Sequence, residues 1–214
     1  MSWLAMSPLE VVSALLSIGS VWLSMRRRVV AWPVTILASL LYGEFFREIH
    51  LYSDMLLQGV FAVCGVYGWW KWARGVQAEG TLRVRRMRRS ALVLSLLAGV
   101  AGTVALGLAM RQWTDASLPW LDAALTAFSL VGTVWEAQQL LENWTLWIAV
   151  DLTYIGEYAW KHAYVTAGLS AIFVGMAVAG LRDWRAAELA QAGGLDAAPG
   201  TAAPRPAAPG TTVP

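Results

Sequence analysis

The chain is poor in charged residues and nearly lacks cysteine and histidine. Asp, Glu, Lys and Arg make up 14% of its 214 residues, compared with roughly 25% in an ordinary soluble domain. The single cysteine, Cys64, excludes an intramolecular disulfide. We also find no histidine-rich metal cluster, no glycine loop that would cradle a phosphate and no pair of nucleophile and base. The sequence therefore argues against an enzyme, a metal site and a resident cofactor.

Long apolar stretches are what the chain has in excess. Hydrophobic residues make up 57% of it, and the charges cluster between these stretches rather than along helix faces. This composition is typical of an integral membrane protein, because ~20 apolar residues are needed for one helix to cross the hydrocarbon. We predict an all-α integral membrane fold with seven transmembrane helices, at residues 8–25, 29–47, 51–73, 90–110, 121–140, 144–160 and 164–181.

The second half of the sequence repeats the first at a constant offset that sets Trp32 on Trp144. Eleven pairs are identical within forty-one aligned positions, and they also include Tyr42 and Tyr154, His50 and His162, Gly68 and Gly180, and Trp72 and Trp184. Two three-helix units joined directly would have opposite orientations, because three is an odd number. One additional span between them restores the orientation, so the repeats are predicted to be parallel.

This reasoning predicts a 3+1+3 arrangement of the chain. The first repeat covers residues 8–74 and the second covers 121–184, with a basic cytoplasmic loop at 75–89 and a linker transmembrane helix at 90–110 between them. Residues 188–214 are rich in Ala, Pro and Gly and are predicted to be a disordered tail. Most Lys and Arg residues fall on one side of the spans, so the positive-inside rule places the amino terminus outside and the carboxy terminus in the cytoplasm.

One face of the sixth span combines aromatic side chains with a carboxylate. Its members recur at steps of three and four residues: Trp144, Trp147, Asp151, Tyr154 and Tyr158. No Lys or Arg lies within a turn of Asp151, so a ligand could supply the partner that an ionised carboxylate needs. A protonated or hydrated Asp with a structural hydrogen bond is the alternative. The corresponding face of the second span is uncharged and carries Trp32, Thr35, Ser39, Tyr42 and Phe46.

Polar side chains also share one face in the fifth and first spans. The fifth span has Asp122, Thr126, Ser129, Thr133 and Glu136, and the first has Glu10, Ser13, Ser17, Ser20 and Ser24. Hydroxyl groups at helical spacing often join membrane helices, so contact between helices is the simpler interpretation of the first span.

Two tryptophan-rich segments resemble the signature segments of PnuC-type vitamin transporters. They are Tyr67-Gly68-Trp69-Trp70-Lys71-Trp72 and Asn143-Trp144-Thr145-Leu146-Trp147-Ile148, the latter followed by Asp151, Tyr154, Ile155, Gly156 and Tyr158. The resemblance implies import of nicotinamide riboside by facilitated diffusion across the bacterial inner membrane, with trapping by cytoplasmic phosphorylation. It also implies a fold similar to SWEET-type sugar transporters, embedded in the lipid bilayer as a homo-oligomer, namely a trimer.

The chemistry of that substrate selects candidate contacts among the polar and aromatic residues. Nicotinamide riboside carries a pyridinium cation, a carboxamide and a ribose, and an aromatic ring attracts a cation by ~0.5–2 kcal/mol. We predict that Trp144 and Trp147 stack on the ring. The full predicted set of substrate-binding residues is Trp144, Trp147, Asp151, Tyr154, Asn143, Gln58 and Tyr42.

Other functions remain open at the level of sequence. Thiamine is also an aromatic cation and suits the same face, whereas neutral riboflavin leaves Asp151 less well explained. A proton- or sodium-coupled transporter would use Asp151, Asp54 and Glu136 as titratable groups. A non-transporting scaffold is favoured only if the polar faces serve helix contact alone.

Overall fold

The described part of the chain forms seven helices. The computed structural model describes residues 8–48, 50, 52–79, 81–114 and 117–193. The helices are α1 (Pro8–Met25), α2 (Ala31–Glu48), α3 (Tyr52–Glu79), α4 (Arg89–Trp113), α5 (Pro119–Ala137), α6 (Glu142–Trp160) and α7 (Tyr164–Ala192). The predicted number of helices and the all-α class are confirmed. Among these helices, α4 and α7 are long and apolar enough to cross a membrane, with mean hydropathies of 2.2 and 1.8.

Two helices extend well past their predicted ends. α3 continues to Glu79 and α7 continues to Ala192, so residues 188–192, which the sequence assigned to the tail, belong to a helix. The extension of α7 follows from its composition, since Ala, Leu, Glu and Gln are strong helix formers. Ala187 is also buried, and Glu188 pairs with Arg86. The rest of the predicted tail, from residue 194, lies outside the described residues.

We refer to the helices of each predicted repeat as a triplet. The first triplet is α1–α3 and the second is α5–α7, and the triplets meet where α1 packs on α7 and where α3 packs on α5. Among the described residues α4 packs only on α5. Its outward side is apolar, with Leu94 at 70% and Leu97 at 60% relative exposure. This is the surface expected of a helix that faces lipid.

Two unusual turns occur once in each repeat, at aligned positions. Arg27 and Gln139 have φ values of 54° and 62°, and His50 and His162 have φ values of 62° and 58°. Residues other than glycine rarely adopt this left-handed region, where a single residue commonly ends a helix. Arg27 N–H donates to the Ser24 carbonyl over 2.9 Å. Gln139 N–H donates to the Glu136 carbonyl over the same distance, so α1 and α5 end in the same way.

Four tryptophans form the buried centre of the molecule. This tryptophan cluster consists of Trp32, Trp72, Trp144 and Trp184, each at most 2% exposed. Trp32 meets Trp72 edge to face at 5.5 Å and 88°, and Trp144 meets Trp184 with the same values. Trp72 and Trp184 join the two pairs at 6.0 Å. Such edge-to-face pairs contribute about 0.5–1.5 kcal/mol each beyond burial.

Glycines leave the space that two of these rings occupy. A Cβ atom on Gly68 would lie 2.5 Å from ring atoms of Trp32, and one on Gly180 would lie 2.7 Å from Trp144. Both distances are shorter than any stable non-bonded contact between carbon atoms, so the rings lie directly on the backbones of α3 and α7. Glycine is therefore required at both positions by close approach.

A short basic segment covers the tryptophan cluster at one end of the bundle. We call residues 81–88 the basic strap, and the end of the bundle where it lies the basic end. Leu82 and Val84 are buried against Trp72 and Trp184, and the space between them holds no room for a water molecule. Backbone bonds of 2.9 Å run from Arg85 N–H to the Gln139 carbonyl and from Leu141 N–H to the Arg85 carbonyl. The predicted loop therefore packs on Trp72 of the first triplet and on Trp184 of the second, and it is hydrogen-bonded to the α5–α6 turn.

A bidentate ion pair adds a further attachment of the strap. Arg86 Nε and Nη2 donate to the two carboxylate oxygens of Glu188 at 2.6 and 2.9 Å. Met87 N–H donates to Glu142 Oε2 over 3.2 Å. The strap is therefore held by α6 and α7 of the second triplet as well as by the α5–α6 turn.

Candidate functional site

A cavity of about 240 Å³ lies between the two triplets. Every helix except α4 contributes to its wall, as expected of a site at the interface of two repeats. Its lining residues are Ser20, Val21, Trp32, Thr35, Ser39, Phe61, Thr133, Glu136, Trp144, Trp147, Asp151, Phe173 and Ala177. Two larger clefts, of about 630 and 420 Å³, open at the surface beside Arg26–Arg28. We place the functional site in the central cavity because the predicted aromatic face lines it.

The α6 wall of the cavity carries that aromatic face. Trp144, Trp147 and Asp151 follow one another at steps of three and four residues and all reach the cavity. Asp151 is only 8% exposed. Trp147 occupies space that a larger residue on α5 would fill, because a Cβ atom on Gly132 would lie 3.2 Å from its indole. Ser20 holds the position of Gly132 in the first triplet and lines the cavity itself.

The α2 wall repeats this pattern with smaller side chains. Trp32, Thr35 and Ser39 line the cavity at the positions that align with Trp144, Trp147 and Asp151. Thr35 Oγ1 donates to the Ala31 carbonyl of its own helix over 3.0 Å. The cavity is therefore symmetric in backbone and asymmetric in chemistry, with the carboxylate and the additional indole on the second triplet.

A second carboxylate enters the cavity from α5. Glu136 lines the wall and accepts a hydrogen bond from the Ser24 hydroxyl of α1. The Trp147 side chain lies beside the same carboxylate. The sequence placed Glu136 on the polar face of the fifth span and treated it as a titratable candidate, but not as a substrate contact. The polar face of the fifth span is therefore the sequence signal that points to Glu136.

Two phenylalanines are further lining residues that the sequence reasoning missed. Phe61 of α3 and Phe173 of α7 line the cavity from different triplets, and they occupy aligned positions of the two repeats. The self-alignment pairs these two residues as identical, and that pairing is the sequence signal that could have identified them.

The lining is acidic and aromatic. No Lys, Arg or His is among the lining residues that the structure describes, so neither carboxylate has a basic partner inside the cavity. A buried carboxylate needs hydrogen bonds or an opposite charge. The cavity is thus suited to a ligand that brings positive charge or several hydrogen-bond donors, with an aromatic part for the rings.

Three of the seven predicted contacts reach the cavity, and two further ones lie a turn away. Trp144, Trp147 and Asp151 are lining residues. Tyr154 follows Asp151 on α6 and stacks on Tyr158, with ring centroids 5.5 Å apart and planes at 9°. Tyr42 follows Ser39 on α2 and stacks on Phe46 at 6.2 Å. These stacked pairs continue the two walls away from the tryptophan cluster.

Asn143 and Gln58 do not line the cavity. Asn143 is fully buried, and its Nδ2 donates to the Leu140 carbonyl over 2.6 Å, so its side chain holds the turn between α5 and α6. Gln58 packs on α2, where its Cβ lies 3.6 Å from the position that a Cβ on Gly43 would take. Neither residue therefore belongs to the cavity wall in this structure, and their contact with substrate stays a prediction.

The chain is similar to bacterial vitamin transporters along most of its length. A family model described as nicotinamide mononucleotide transporter matches residues 7–186. The riboflavin/roseoflavin transporter RibM of Streptomyces davaonensis is 30% identical over 180 residues, covering 82% of this chain and 83% of the relative. The nicotinamide riboside transporter PnuC of Escherichia coli is 27% identical over 169 residues, covering 67% and 71%.

One solved structure shares the fold. The crystal structure of the vitamin B3 transporter PnuC matches with a TM-score of 0.68 and 21% identity, over 85% of this chain and 82% of that chain. This match covers the seven-helix arrangement described above.

Proposed function

The chain belongs to the nicotinamide mononucleotide transporter family, and from this premise we propose that it imports nicotinamide riboside by facilitated diffusion. Membership makes it a vitamin transporter of the PnuC family rather than an enzyme. In the proposed cycle the substrate enters the central cavity and leaves on the cytoplasmic side, where phosphorylation by a kinase traps it.

The acidic and aromatic lining of the cavity is the observation that carries this proposal. Nicotinamide riboside is a permanent cation on an aromatic ring, so it matches Asp151 and Glu136 in charge and Trp147 in shape. Stacking of a cation on an indole contributes ~0.5–2 kcal/mol, more when the pair is desolvated. A neutral ligand would leave two carboxylates in the cavity without a charged partner.

The size of the cavity also favours nicotinamide riboside as the substrate. At about 240 Å³ it is slightly smaller than the ~300–1,000 Å³ typical of ligand pockets. A nucleoside with one six-membered ring requires less rearrangement of the walls than riboflavin, which has three fused rings. Riboflavin is nevertheless the second candidate, because RibM is 30% identical to this chain and PnuC of Escherichia coli is 27% identical. Thiamine, another aromatic cation, is the third.

We further propose how the protein sits in its membrane. The family and the PnuC fold favour a multi-pass protein of the bacterial inner membrane, built as parallel triplets joined by α4. The turns and ring contacts that recur at aligned positions of the two triplets support the parallel arrangement. The basic strap and Arg26–Arg28 support a cytoplasmic basic end, with the amino terminus outside. A homotrimer is the assembly that the resemblance implies.

Binding of three vitamins to the purified protein tests the substrate. In calorimetry of the detergent-solubilised protein, nicotinamide riboside should bind more tightly than thiamine or riboflavin. Asp151→Asn should weaken its binding about tenfold to a hundredfold, because a hydrogen bond to a charged group contributes ~1.5–3 kcal/mol. Asp183→Asn is the matched control, since Asp183 lines a surface cleft. Tighter binding of riboflavin than of nicotinamide riboside would overturn the assignment.

Uptake into proteoliposomes tests the transport mode. Without a kinase, uptake of nicotinamide riboside should equilibrate and stop, as uniport requires. Accumulation above the outside concentration under an imposed proton or sodium gradient would show ion coupling instead.

A further inference from the structure

Ser24 and Glu136 are equivalent residues of the two triplets, and they contact each other. They occupy aligned positions of the repeats, and each lies in the last turn of its helix, where the left-handed residues Arg27 and Gln139 follow. The hydroxyl of Ser24 donates to the carboxylate of Glu136. Among the described residues the backbones of α1 and α5 do not pack on each other. This side-chain bond is therefore a direct connection between two helices whose backbones do not pack on each other.

The same two residues also hold the tryptophan cluster. Trp184 Nε1 donates to the Ser24 carbonyl over 3.2 Å, and Trp72 Nε1 donates to the Glu136 carbonyl over 3.2 Å. Trp72 and Trp184 in turn contact each other at 6.0 Å. The Ser24–Glu136 bond thus completes a closed set of contacts that ties both triplets together directly beneath the cavity.

This set of contacts closes the path from the cavity to the basic end. The rings of the cluster are buried, and Leu82 and Val84 of the basic strap lie against their other side without space for water. In the proposed orientation, a substrate that moves from the cavity toward the cytoplasm meets these contacts, so the triplets must separate here to let it pass. Glu136 is the one member of the Ser24–Glu136 pair that also lines the cavity, so it is within reach of the substrate.

We propose that the Ser24–Glu136 hydrogen bond holds the basic end closed and that a cationic substrate releases it by drawing the Glu136 carboxylate toward itself. Glu136 is then a positioning residue, since it links occupancy of the cavity to opening of the exit. The second part of the proposal rests on the proposed function, because it needs a positively charged ligand. The first part concerns the closed state alone.

Cysteine labelling measures opening at the basic end. Ser39→Cys places a thiol in the cavity wall with little change in volume, in a Cys64→Ser background. A membrane-impermeant maleimide is applied to inside-out vesicles, so that labelling reports access from the cytoplasmic side. Ser24→Ala should raise the labelling rate about tenfold or more, because the lost bond is charge-assisted.

Ser17→Ala is the matched control on the same helix. Its hydroxyl donates only to the Ser13 carbonyl of α1 over 2.9 Å, so its removal should leave the labelling rate unchanged. Equal rates in the Ser24→Ala and Ser17→Ala proteins would overturn the proposal that this bond holds the exit closed. This comparison uses no vitamin and is independent of the substrate assignment.

Glu136→Gln separates the charge from the hydrogen bond. The amide oxygen still accepts from Ser24 but without the charge, so basal labelling should rise less than in Ser24→Ala. Nicotinamide riboside, supplied to each protein at a concentration that saturates it in calorimetry, should accelerate labelling of the parent protein severalfold and should have no such effect on Glu136→Gln. Equal acceleration in both proteins would overturn the role of Glu136 in release. Failure of the substrate assignment shows separately, as absence of nicotinamide riboside binding in calorimetry.

Discussion

The contact between Gly180 and Trp144 yields a quantitative prediction for Gly180→Ala. The added Cβ atom would lie 2.7 Å from the indole, whereas ordinary contact begins at 3.4 Å, so the ring must move by about 0.7 Å. Forcing a methyl group into a packed interior costs about 1–3 kcal/mol. Alanine recovers up to ~1 kcal/mol through its better helix propensity. Because Trp144 also lines the cavity, the displaced ring should lower substrate affinity as well, by about tenfold, or ~1.4 kcal/mol.

Gly175→Ala on the same helix is the control for propensity. A Cβ atom there meets nothing within 4 Å, so this variant gains the propensity term without the clash. The two variants should therefore differ by about 1–3 kcal/mol, or ~2–4 °C in melting temperature per kcal/mol for a chain of this length. The assay heats the detergent-solubilised protein and follows the monodisperse fraction by size-exclusion chromatography. Equal melting temperatures and equal affinities would refute the close packing of Trp144 on α7.

Two further substitutions test the asymmetry of the cavity and the attachment of the strap. Trp147→Ala should weaken nicotinamide riboside binding in calorimetry by ~2–3 kcal/mol, and Trp147→Phe should weaken it less. Thr35→Ala, at the equivalent position, should change binding little; a loss as large as that of Trp147→Ala in a monodisperse protein would contradict a one-sided aromatic contact. Arg86→Glu should lower the melting temperature by a few degrees, because an exposed ion pair is worth about 1 kcal/mol at most. Adding Glu188→Arg should restore the melting temperature, and a double variant no more stable than the single one would count against the pair.

The helices and one wall of the cavity were predictable from the sequence because they depend on local periodicity. Trp144, Trp147 and Asp151 share a face at helical spacing, and that spacing alone brings all three to one side of α6. The carboxylate of Asp151 would be costly in contact with lipid, so this face was predicted to point into the bundle. The helix count followed from apolar length in the same way.

The remaining contacts depend on how distant segments meet, which local pattern does not encode. Asn143 adjoins Trp144 in the sequence, yet its amide turns back to Leu140 rather than toward the cavity. The residues of the basic strap have the composition of a loop that faces lipid headgroups, but Leu82 and Val84 insert beneath the tryptophan cluster. The role of Glu136 could not be predicted from its own helix, because only its hydrogen bond with Ser24 shows that it connects the triplets.

The tryptophan cluster has a consequence for how motion of the protein is observed. Its ring centroids lie 5.5–6.0 Å apart, close enough for the excited states of neighbouring indoles to couple. The circular dichroism of coupled indoles depends on their mutual orientation, and the Trp72–Trp184 contact joins one half of the molecule to the other. Any separation of the halves therefore changes the optical activity of these rings while helix content stays constant. The protein carries its own spectroscopic reporter, without an added label.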